Sequence, residues 1–302
     1  MQKKITVFYL LLCVSFLNTA FSQTKINFNE GWKFHLGNAA NPEKDFNYSI
    51  ATIFAKSGAA VLTAIDTRFK DSTWRTVNLP HDWAVELPFV KSSNTDVEAH
   101  GFKPVGGLFP ETSIGWYRKK FKVAAADSGQ RFQIQFDGIF RNANIWVNGF
   151  FVGNNMSGYT GAAYDITDVI NFHSDNVIVV RVDATQYEGW FYEGAGIYRN
   201  VWLRKINNQH IAQGSLYAYA DVKGNDATIN IEAAVENSNI TSSNCTVYTY
   251  IATRDGKIIA QSKEQPLSLA VNGKATVKQK LLVPNAHLWN LDDPYLYRVG
   301  AV

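Results

Sequence analysis

The amino-acid sequence predicts an all-β protein built from two successive β-sandwiches. Three observations support this fold class. Of the 302 residues, 14% are aromatic and only 18% are charged, a composition typical of packed sheets. Short apolar runs alternate with turn residues along most of the chain. Strands do not alternate with long amphipathic helices, which argues against a parallel α/β sheet.

In chain order, short β-branched and aromatic runs predict strands after residue 22. The clearest are residues 116–123, 131–136, 144–147, 177–182 and 200–204. Within the second run, Phe132, Ile134 and Phe136 should share one sheet face, because side chains alternate along a strand. Asn148-Gly149 lies between two apolar runs and predicts a tight hairpin, since both residue types tolerate positive φ. The one predicted helix is Ser49 to Lys56, with Gly58 as its stop.

The composition changes near residue 206, where aromatic residues become sparser. Regular short strand patterns follow at 227–235, 246–251 and 275–283, with turn pairs at Asp255-Gly256 and Asn272-Gly273. Such spacing in fewer than a hundred residues predicts an immunoglobulin-like sandwich over 206–302. Because residues 295–302 read as a strand with no turn or polar tail, we expect this sandwich to lack its last strand.

Residues 1–22 have the pattern of an export signal. Two lysines precede an apolar run, and Ala20-Phe21-Ser22 provides a cleavage site with small residues. The run is too short to span a bilayer, so we expect an exported periplasmic or extracellular protein without a membrane span. Cleavage would lower the formal net charge from +3 to +1, a balance that does not favour nucleic-acid partners. It would leave Cys245 as a single thiol in a strand pattern, where we expect a structural role.

Five segments together carry a family resemblance. They are N-F-N-E-G-W-K-F (27–34), W-R-T-V-N-L-P-H-D-W (74–83), S-I-G-W-Y-R-K-K-F (113–121), G-A-G-I-Y-R-N-V-W-L (194–203) and H-L-W-N-L-D-D-P-Y-L-Y (287–297). In this order they resemble the N-terminal region of glycoside hydrolase family 2, the β-galactosidase and β-glucuronidase family. The resemblance implies a galactose-binding-like jelly-roll domain over 23–205, the immunoglobulin-like sandwich over 206–302, and a following (β/α)₈ barrel. It also implies that both catalytic glutamates lie on that barrel, whose signature is absent from this sequence.

The sequence suggests no catalytic residues of its own. Retaining glycoside hydrolysis needs two carboxylates about 5–5.5 Å apart. The acidic candidates show no recognised catalytic spacing; they are Asp82, Glu86, Asp137, Asp183, Glu188 and Glu193. The six histidines are scattered and form no metal-ligand motif, so we expect neither a metal site nor a cofactor. We therefore expect the 302 residues alone to be inactive.

Five residues are candidates for contact with sugar. By resemblance, Trp190, Tyr192 and Glu193 lie in a loop that faces the barrel's pocket, and His81 and Asp82 line the same rim. Aromatic rings can cover the apolar face of a sugar, and carboxylates accept hydrogen bonds from its hydroxyls. In the alternative interpretation, the two aromatic side chains only pack against the barrel, while His81 and Asp82 make internal hydrogen bonds. Gly194 and Gly196 are expected to shape the loop through positive φ or close backbone approach.

Three functional interpretations are open. The first is the non-catalytic front of an exported, exo-acting enzyme that acts on a terminal β-linked sugar, with the barrel in cis. The pairing of L-P-H-D-W with G-W-Y-R resembles exported β-galactosidases more than glucuronidases or mannosidases, and this resemblance implies a β-galactosidase-like parent. The second is a free-standing carbohydrate-binding module without hydrolase activity. The third is a structural or adhesion protein that uses its sandwiches as spacers.

Overall fold

The computed structural model describes residues 23–48, 63–87, 113–186 and 193–302. Within these ranges the elements are strands and three short 3-10 turns, at Trp83–Glu86, Ala125–Asp127 and Thr167–Val169. The all-β prediction is confirmed. The helix predicted from Ser49 to Lys56 lies outside the described residues.

One face of the first sandwich is a four-stranded antiparallel sheet. In spatial order its strands are β1 (Gln23–Asn27), β10 (Val201–Ile206), β5 (Arg131–Phe136) and β8 (Ala162–Asp165). The prediction for residues 131–136 is confirmed, and Phe132, Ile134 and Phe136 are all buried on one face. Gln133 and Gln135 lie on the opposite, outer face, as strand alternation requires.

The facing sheet has six antiparallel strands. In spatial order they are β3 (Arg75–Val77), β2 (Trp32–Leu36), β4 (Ile114–Phe121), β9 (Asn176–Asp183), β6 (Ala143–Val147) and β7 (Phe150–Asn155). The ends of the observed strands differ from the predicted ends by only a few residues. The core between the two sheets contains side chains such as Phe34, Ile145 and Val180 from this sheet, and Leu203 from the other. Together the two sheets form the jelly-roll sandwich.

The six-stranded sheet is covered on both faces. Seven of the eight residues of β9 are buried, which explains its nearly continuous apolar sequence. On the side away from the sandwich core, Trp116 stacks on Trp146 with ring centroids 6.1 Å apart. Phe46 and Trp74, from segments outside the sheet, pack against Trp116 or its neighbours in this second cluster. The outer face of this sheet is therefore occupied by the chain itself.

The hairpin predicted at Asn148-Gly149 is confirmed. It joins β6 to β7, and both residues have positive φ, +53° and +84°. The Asn148 side chain also donates to the Val169 carbonyl at 2.7 Å and accepts from the Val177 N–H at 2.9 Å. One turn residue thus connects the hairpin with two neighbouring segments.

The second sandwich contains nine strands of 3 to 12 residues. They are β11 (Gln209–Ile211), β12 (Tyr217–Lys223), β13 (Asp226–Asn237), β14 (Ser243–Val247), β15 (Thr249–Ala252), β16 (Ile258–Gln261), β17 (Gln265–Leu269), β18 (Lys274–Val283) and β19 (Arg298–Ala301). Its core contains two apolar clusters, one around Ile231 and Ile251 and the other around Val235 and Val277. The immunoglobulin-like prediction for fold class is confirmed.

The strand predicted at 246–251 is divided at Tyr248. Before this residue β14 pairs with β17, and after it β15 pairs with β16 and β19. Tyr248 itself exchanges two backbone hydrogen bonds with Val302. Alternation of burial continues through the change of partner, which is why the sequence pattern read as one strand. Cys245, on β14, is half-buried against the second apolar cluster, and burial raises the pKa of its thiol.

Candidate functional site

Two motifs far apart in the sequence lie side by side at one end of the jelly roll. The His81 N–H donates to the Ile197 carbonyl at 2.8 Å, and the Trp83 N–H donates to the Ala195 carbonyl at 3.0 Å. These two bonds align residues 81–83 with residues 195–197. We call this junction of the two segments the motif corner. It fixes the path of the chain on both sides of the short 3-10 turn Trp83–Glu86.

Asp82 connects the same two segments through its side chain. Its Oδ1 accepts a hydrogen bond from the Ala84 N–H at 2.9 Å, which caps the 3-10 turn. The same oxygen accepts from the Ala195 N–H at 2.8 Å. Both bonds are internal aspartate–backbone hydrogen bonds, the kind that the alternative interpretation predicts for Asp82. Asp82 therefore has a clear structural role in the corner, and its contact with sugar stays a prediction.

Close packing at the corner requires glycine at two positions. A Cβ atom on Gly115, in the G-W-Y-R segment, would lie 2.4 Å from the Trp83 ring. A Cβ atom on Gly196 would lie 2.5 Å from both the His81 carbonyl oxygen and the Tyr117 hydroxyl. Gly194 and Gly196 have φ of +69° and +130°, so the predicted need for glycine is confirmed. Three of the five recognised motifs thus meet in one place.

His81 forms a buried hydrogen-bonded chain at the corner. Its Nδ1 lies 2.8 Å from the Tyr117 hydroxyl oxygen, and its Nε2 lies 3.2 Å from Glu86 Oε1. Burial raises the pKa of Tyr117 well above 10, so the hydroxyl stays protonated and can donate to Nδ1. The Nη2 atom of Arg75 lies 3.1 Å from the same Nε2, so this ring nitrogen faces both a guanidinium donor and the Glu86 carboxylate. Glu86 is also paired with Arg75, at 2.5 Å.

Sequence reasoning missed Arg75 as a member of this group. Arg75 lies on β3, inside the quoted motif 74–83, and Glu86 follows the motif by three residues. A surface cleft of about 380 Å³ runs beside them, with Phe34, Trp83 and Leu87 among its other lining residues. It combines aromatic surface with an ion pair, the two kinds of group that bind sugars. A charged residue seven positions before Asp82 gives no sequence signal for such a cleft.

The three described candidates lie at or beside the corner. Glu193, whose side chain is 8% exposed, directly precedes the glycine-bounded segment that bonds to Asp82. His81 is 9% exposed. Trp190 and Tyr192 lie outside the described residues. The structure thus brings His81, Asp82 and Glu193 together, and contact of the five candidates with sugar stays a prediction.

The protonation of His81 should make stability depend on pH. Burial lowers the pKa of His81 below its ordinary 6.5, and the Glu86 carboxylate partly opposes this shift. The unfolded chain then binds more protons than the folded one, so stability should fall as pH drops through about 6.5. The pKa of Glu86 is also lowered, chiefly through Arg75 and His81 against the opposing effect of burial, so its contribution is lost at still lower pH.

We expect the melting temperature to fall between about pH 7.5 and about pH 5, and His81→Gln to show a smaller fall. At the upper pH the variant should melt below wild type, because it loses the hydrogen bond with Tyr117. His173→Gln, an exposed histidine, is the matched control and should follow wild type. An equal fall in wild type and His81→Gln would contradict this role.

Metal-holding groups of side chains and membrane-spanning helices are both absent from the described residues. Across the four described ranges, no three His, Cys, Asp or Glu side chains are grouped so that they could hold a metal ion. No helix in the same ranges has the length and apolar character needed to cross a membrane. The predicted absence of metals and cofactors stays a prediction.

Two family models match the chain in succession. Residues 51–207 match "Glycosyl hydrolases family 2, sugar binding domain", and residues 209–302 match "Glycosyl hydrolases family 2". The first match contains the motif corner and most of the jelly roll. The second covers the strands of the immunoglobulin-like sandwich from β11 onward.

Comparison with individual proteins agrees with the two family-model matches. The chain is 34% identical to the beta-galactosidase BoGH2A of Bacteroides ovatus over 90% of its own length. It is 27% identical to a beta-glucuronidase of Formosa agariphila over 93% of its length. Among solved structures, a glycosyl hydrolase family 2 member from Bacteroides cellulosilyticus superposes with a TM-score of 0.73 at 31% identity, covering 93% of this chain.

The matched proteins are much longer than this chain. It spans 28% of the length of each of the two curated relatives and 34% of the solved structure. The similarity therefore concerns their two β-sandwich domains, and the remaining two thirds or more of each relative has no counterpart in these 302 residues.

Proposed function

Because the chain belongs to glycosyl hydrolases family 2, we propose that it forms the non-catalytic front of an exported, exo-acting glycoside hydrolase that is β-galactosidase-like. In this proposal a (β/α)₈ barrel in cis supplies the two catalytic glutamates. The jelly roll shapes one side of its pocket and limits access to a terminal β-linked sugar. The beta-galactosidase name of a 34% identical relative supports the substrate class.

The observation that carries the proposal is the motif corner. Residues 81–83 and 195–197 are held together by backbone bonds, with Gly115 packed beneath Trp83. Leu87 and Glu193, two of the described residues that flank segments 88–112 and 187–192 in the sequence, lie near this corner. A rigid base of this kind can hold rim side chains such as Trp190, Tyr192 and Glu193 in a fixed position against a bound sugar. Positioning lowers the barrier without supplying a catalytic group.

The first test concerns where the chemistry lies. Purified residues 23–302 should show no turnover of an aryl β-galactoside, because the carboxylate pair needed for retention is supplied by the barrel. The mature protein from its source should be much heavier than 33.8 kDa and should begin after Ser22. Turnover by the purified chain that disappears when one of its own carboxylates is substituted would contradict the proposal. A mature mass slightly below 33.8 kDa would instead support the free-standing binding module.

The second test concerns the rim. In the complete enzyme, Trp190→Ala should lower kcat/KM by about tenfold or more while the melting temperature changes little. Tyr219→Ala, an exposed aromatic residue on β12, is the matched control and should leave both quantities near wild type. A lowered melting temperature with unchanged kcat/KM would show that Trp190 contributes packing alone.

A further inference from the structure

A cavity lies between the two sandwiches, away from the motif corner. Its volume is about 230 Å³. Gln133 and Arg204 line it from the four-stranded sheet of the jelly roll, and His210, Glu236 and Lys274 line it from the immunoglobulin-like domain. At about 30 Å³ per water molecule, the cavity has room for about seven waters or a small polar ligand. We call it the junction cavity.

The guanidinium of Arg204 is buried at this cavity, and the described residues provide no counter-charge for it. The residue is 7% exposed, and its donors reach only the amide oxygens of Gln133, at 3.1 Å, and Gln23. No carboxylate oxygen of a described residue lies within 4.0 Å of it. Burial lowers the pKa of Arg204, and no nearby carboxylate opposes this shift. An unpaired buried charge costs several kcal/mol, so such groups normally have an anionic partner.

The one acidic side chain of the cavity lining is already engaged. Glu236 Oε1 lies 2.9 Å from Lys274 Nζ, and Glu236 Oε2 lies 3.5 Å from His210 Nε2. The single negative charge of Glu236 is therefore neutralised by Lys274, on the same side of the cavity. Arg204, on the opposite wall, leaves a net positive charge that the described side chains do not neutralise.

Further groups that bind acidic sugars lie next to Arg204. Trp202 precedes it by two residues on β10 and so shares its sheet face. Lys25, the register partner of Arg204 on β1, places its ammonium 4.0 Å from the centroid of the Trp202 ring. A half-exposed aromatic ring with a second cation above it thus lies on the same sheet face as Arg204, outside the lining of the cavity itself.

We propose that the junction cavity binds an oxyanion, a carboxylate or sulfate group, through the guanidinium of Arg204 with Lys274 on the facing wall. A guanidinium presents a planar pair of N–H donors that matches two oxygens of such a group. The anion arrives either as a free ion or as a substituent of an acidic saccharide that extends over Trp202. This site is independent of the proposed role of the motif corner. Because its walls belong to two domains, an occupied site would hold the sandwiches together.

The test is titration calorimetry on purified residues 23–302 at low ionic strength, where charged contacts are least screened. The probes are sodium sulfate, sodium glucuronate and neutral galactose. We expect both anions to bind and to raise the melting temperature, with galactose much weaker. Tighter binding of glucuronate would identify a sugar-borne anion, and tighter binding of sulfate a free ion. Binding of galactose as tight as that of the anions would overturn the proposal.

Three variants make the test specific. Arg204→Gln should weaken anion binding by about tenfold or more, because the charged fork is lost. Arg199→Gln removes the same charge from an exposed position of the jelly roll and should leave binding near wild type. Glu236→Gln should strengthen binding several-fold, since it releases Lys274 from its partner.

Equal losses in Arg204→Gln and Arg199→Gln would show general electrostatic attraction and overturn the proposal, as would unchanged binding in Arg204→Gln. If Arg204→Gln does not fold, Lys274→Gln and Glu236→Gln decide instead. For the proposal to stand, Lys274→Gln must weaken anion binding and Glu236→Gln must tighten it.

Discussion

Gly196→Ala should lower the free energy of unfolding by about 3–5 kcal/mol, one of the two largest effects expected for a single substitution in this chain. The new Cβ would lie 2.5 Å from the His81 carbonyl oxygen and 2.5 Å from the Tyr117 hydroxyl. Backbone cannot give way as a flexible side chain can, so the strand-like contact between residues 81–83 and 195–197 must open. Chemical denaturation of residues 23–302, followed by tryptophan fluorescence, measures the change.

Gly129→Ala is the matched control for Gly196→Ala. Gly129 also has positive φ, +91°, and open space where its Cβ would be built. Its substitution isolates the cost of the backbone conformation, about 1–2 kcal/mol. If both variants lose the same stability, the clash at the corner contributes nothing and the corner is looser than described.

Trp83→Ala is the second substitution with a large expected effect, a loss of about 3–5 kcal/mol. Trp83 is 1% exposed, and its ring packs so closely on Gly115 that a Cβ atom there would lie 2.4 Å away. Its ring centroid lies 5.7 Å from that of Phe34 and 6.3 Å from that of Tyr117. Removal would leave a cavity in the middle of the motif corner. Under the role that we propose for this corner, the complete enzyme should also lose kcat/KM, because the base of the rim is no longer fixed.

Trp289→Ala serves as the control for Trp83→Ala, because the Trp289 side chain is 56% exposed. In residues 23–302 this control should change the free energy of unfolding by less than about 1 kcal/mol. A comparable loss in the two variants would mean that Trp83 is not a packing centre. If a folded Trp83→Ala enzyme kept full kcat/KM, the corner would not be needed to position the proposed rim residues.

Local patterns were sufficient to predict most of the strands. The alternation of apolar residues predicted the buried face of β5, and the pair Asn148-Gly149 predicted the hairpin. Both predictions succeeded because each signal depends only on residues that are neighbours in the sequence. The division at Tyr248 could not be predicted in this way. The change of partner there leaves the alternation of burial intact, and it depends on β19, some fifty residues further along the chain.

The candidate site was predicted only in part for a similar reason. The motifs pointed to His81, Asp82 and the two glycines, but their convergence on Trp83 and Gly115 depends on tertiary structure. Arg204 illustrates the limit more strongly. In sequence it is an ordinary cation at the end of a strand, and only the packing of the second domain against its face makes it a buried charge.

The bonds that close the motif corner also bear on how this scaffold could diversify. On the N-terminal side of residues 187–192, outside the corner, the Thr185 hydroxyl donates a hydrogen bond to Asp183 Oδ1 at 2.6 Å. On the C-terminal side, the Ala195 N–H donates to Asp82 Oδ1 in the corner. With both ends anchored independently, doubling the length of the intervening segment should cost only about 0.6 kcal/mol in closure entropy. New sequences could therefore be exchanged in this segment, by evolution or by design, while the sandwich that anchors its two ends keeps its fold.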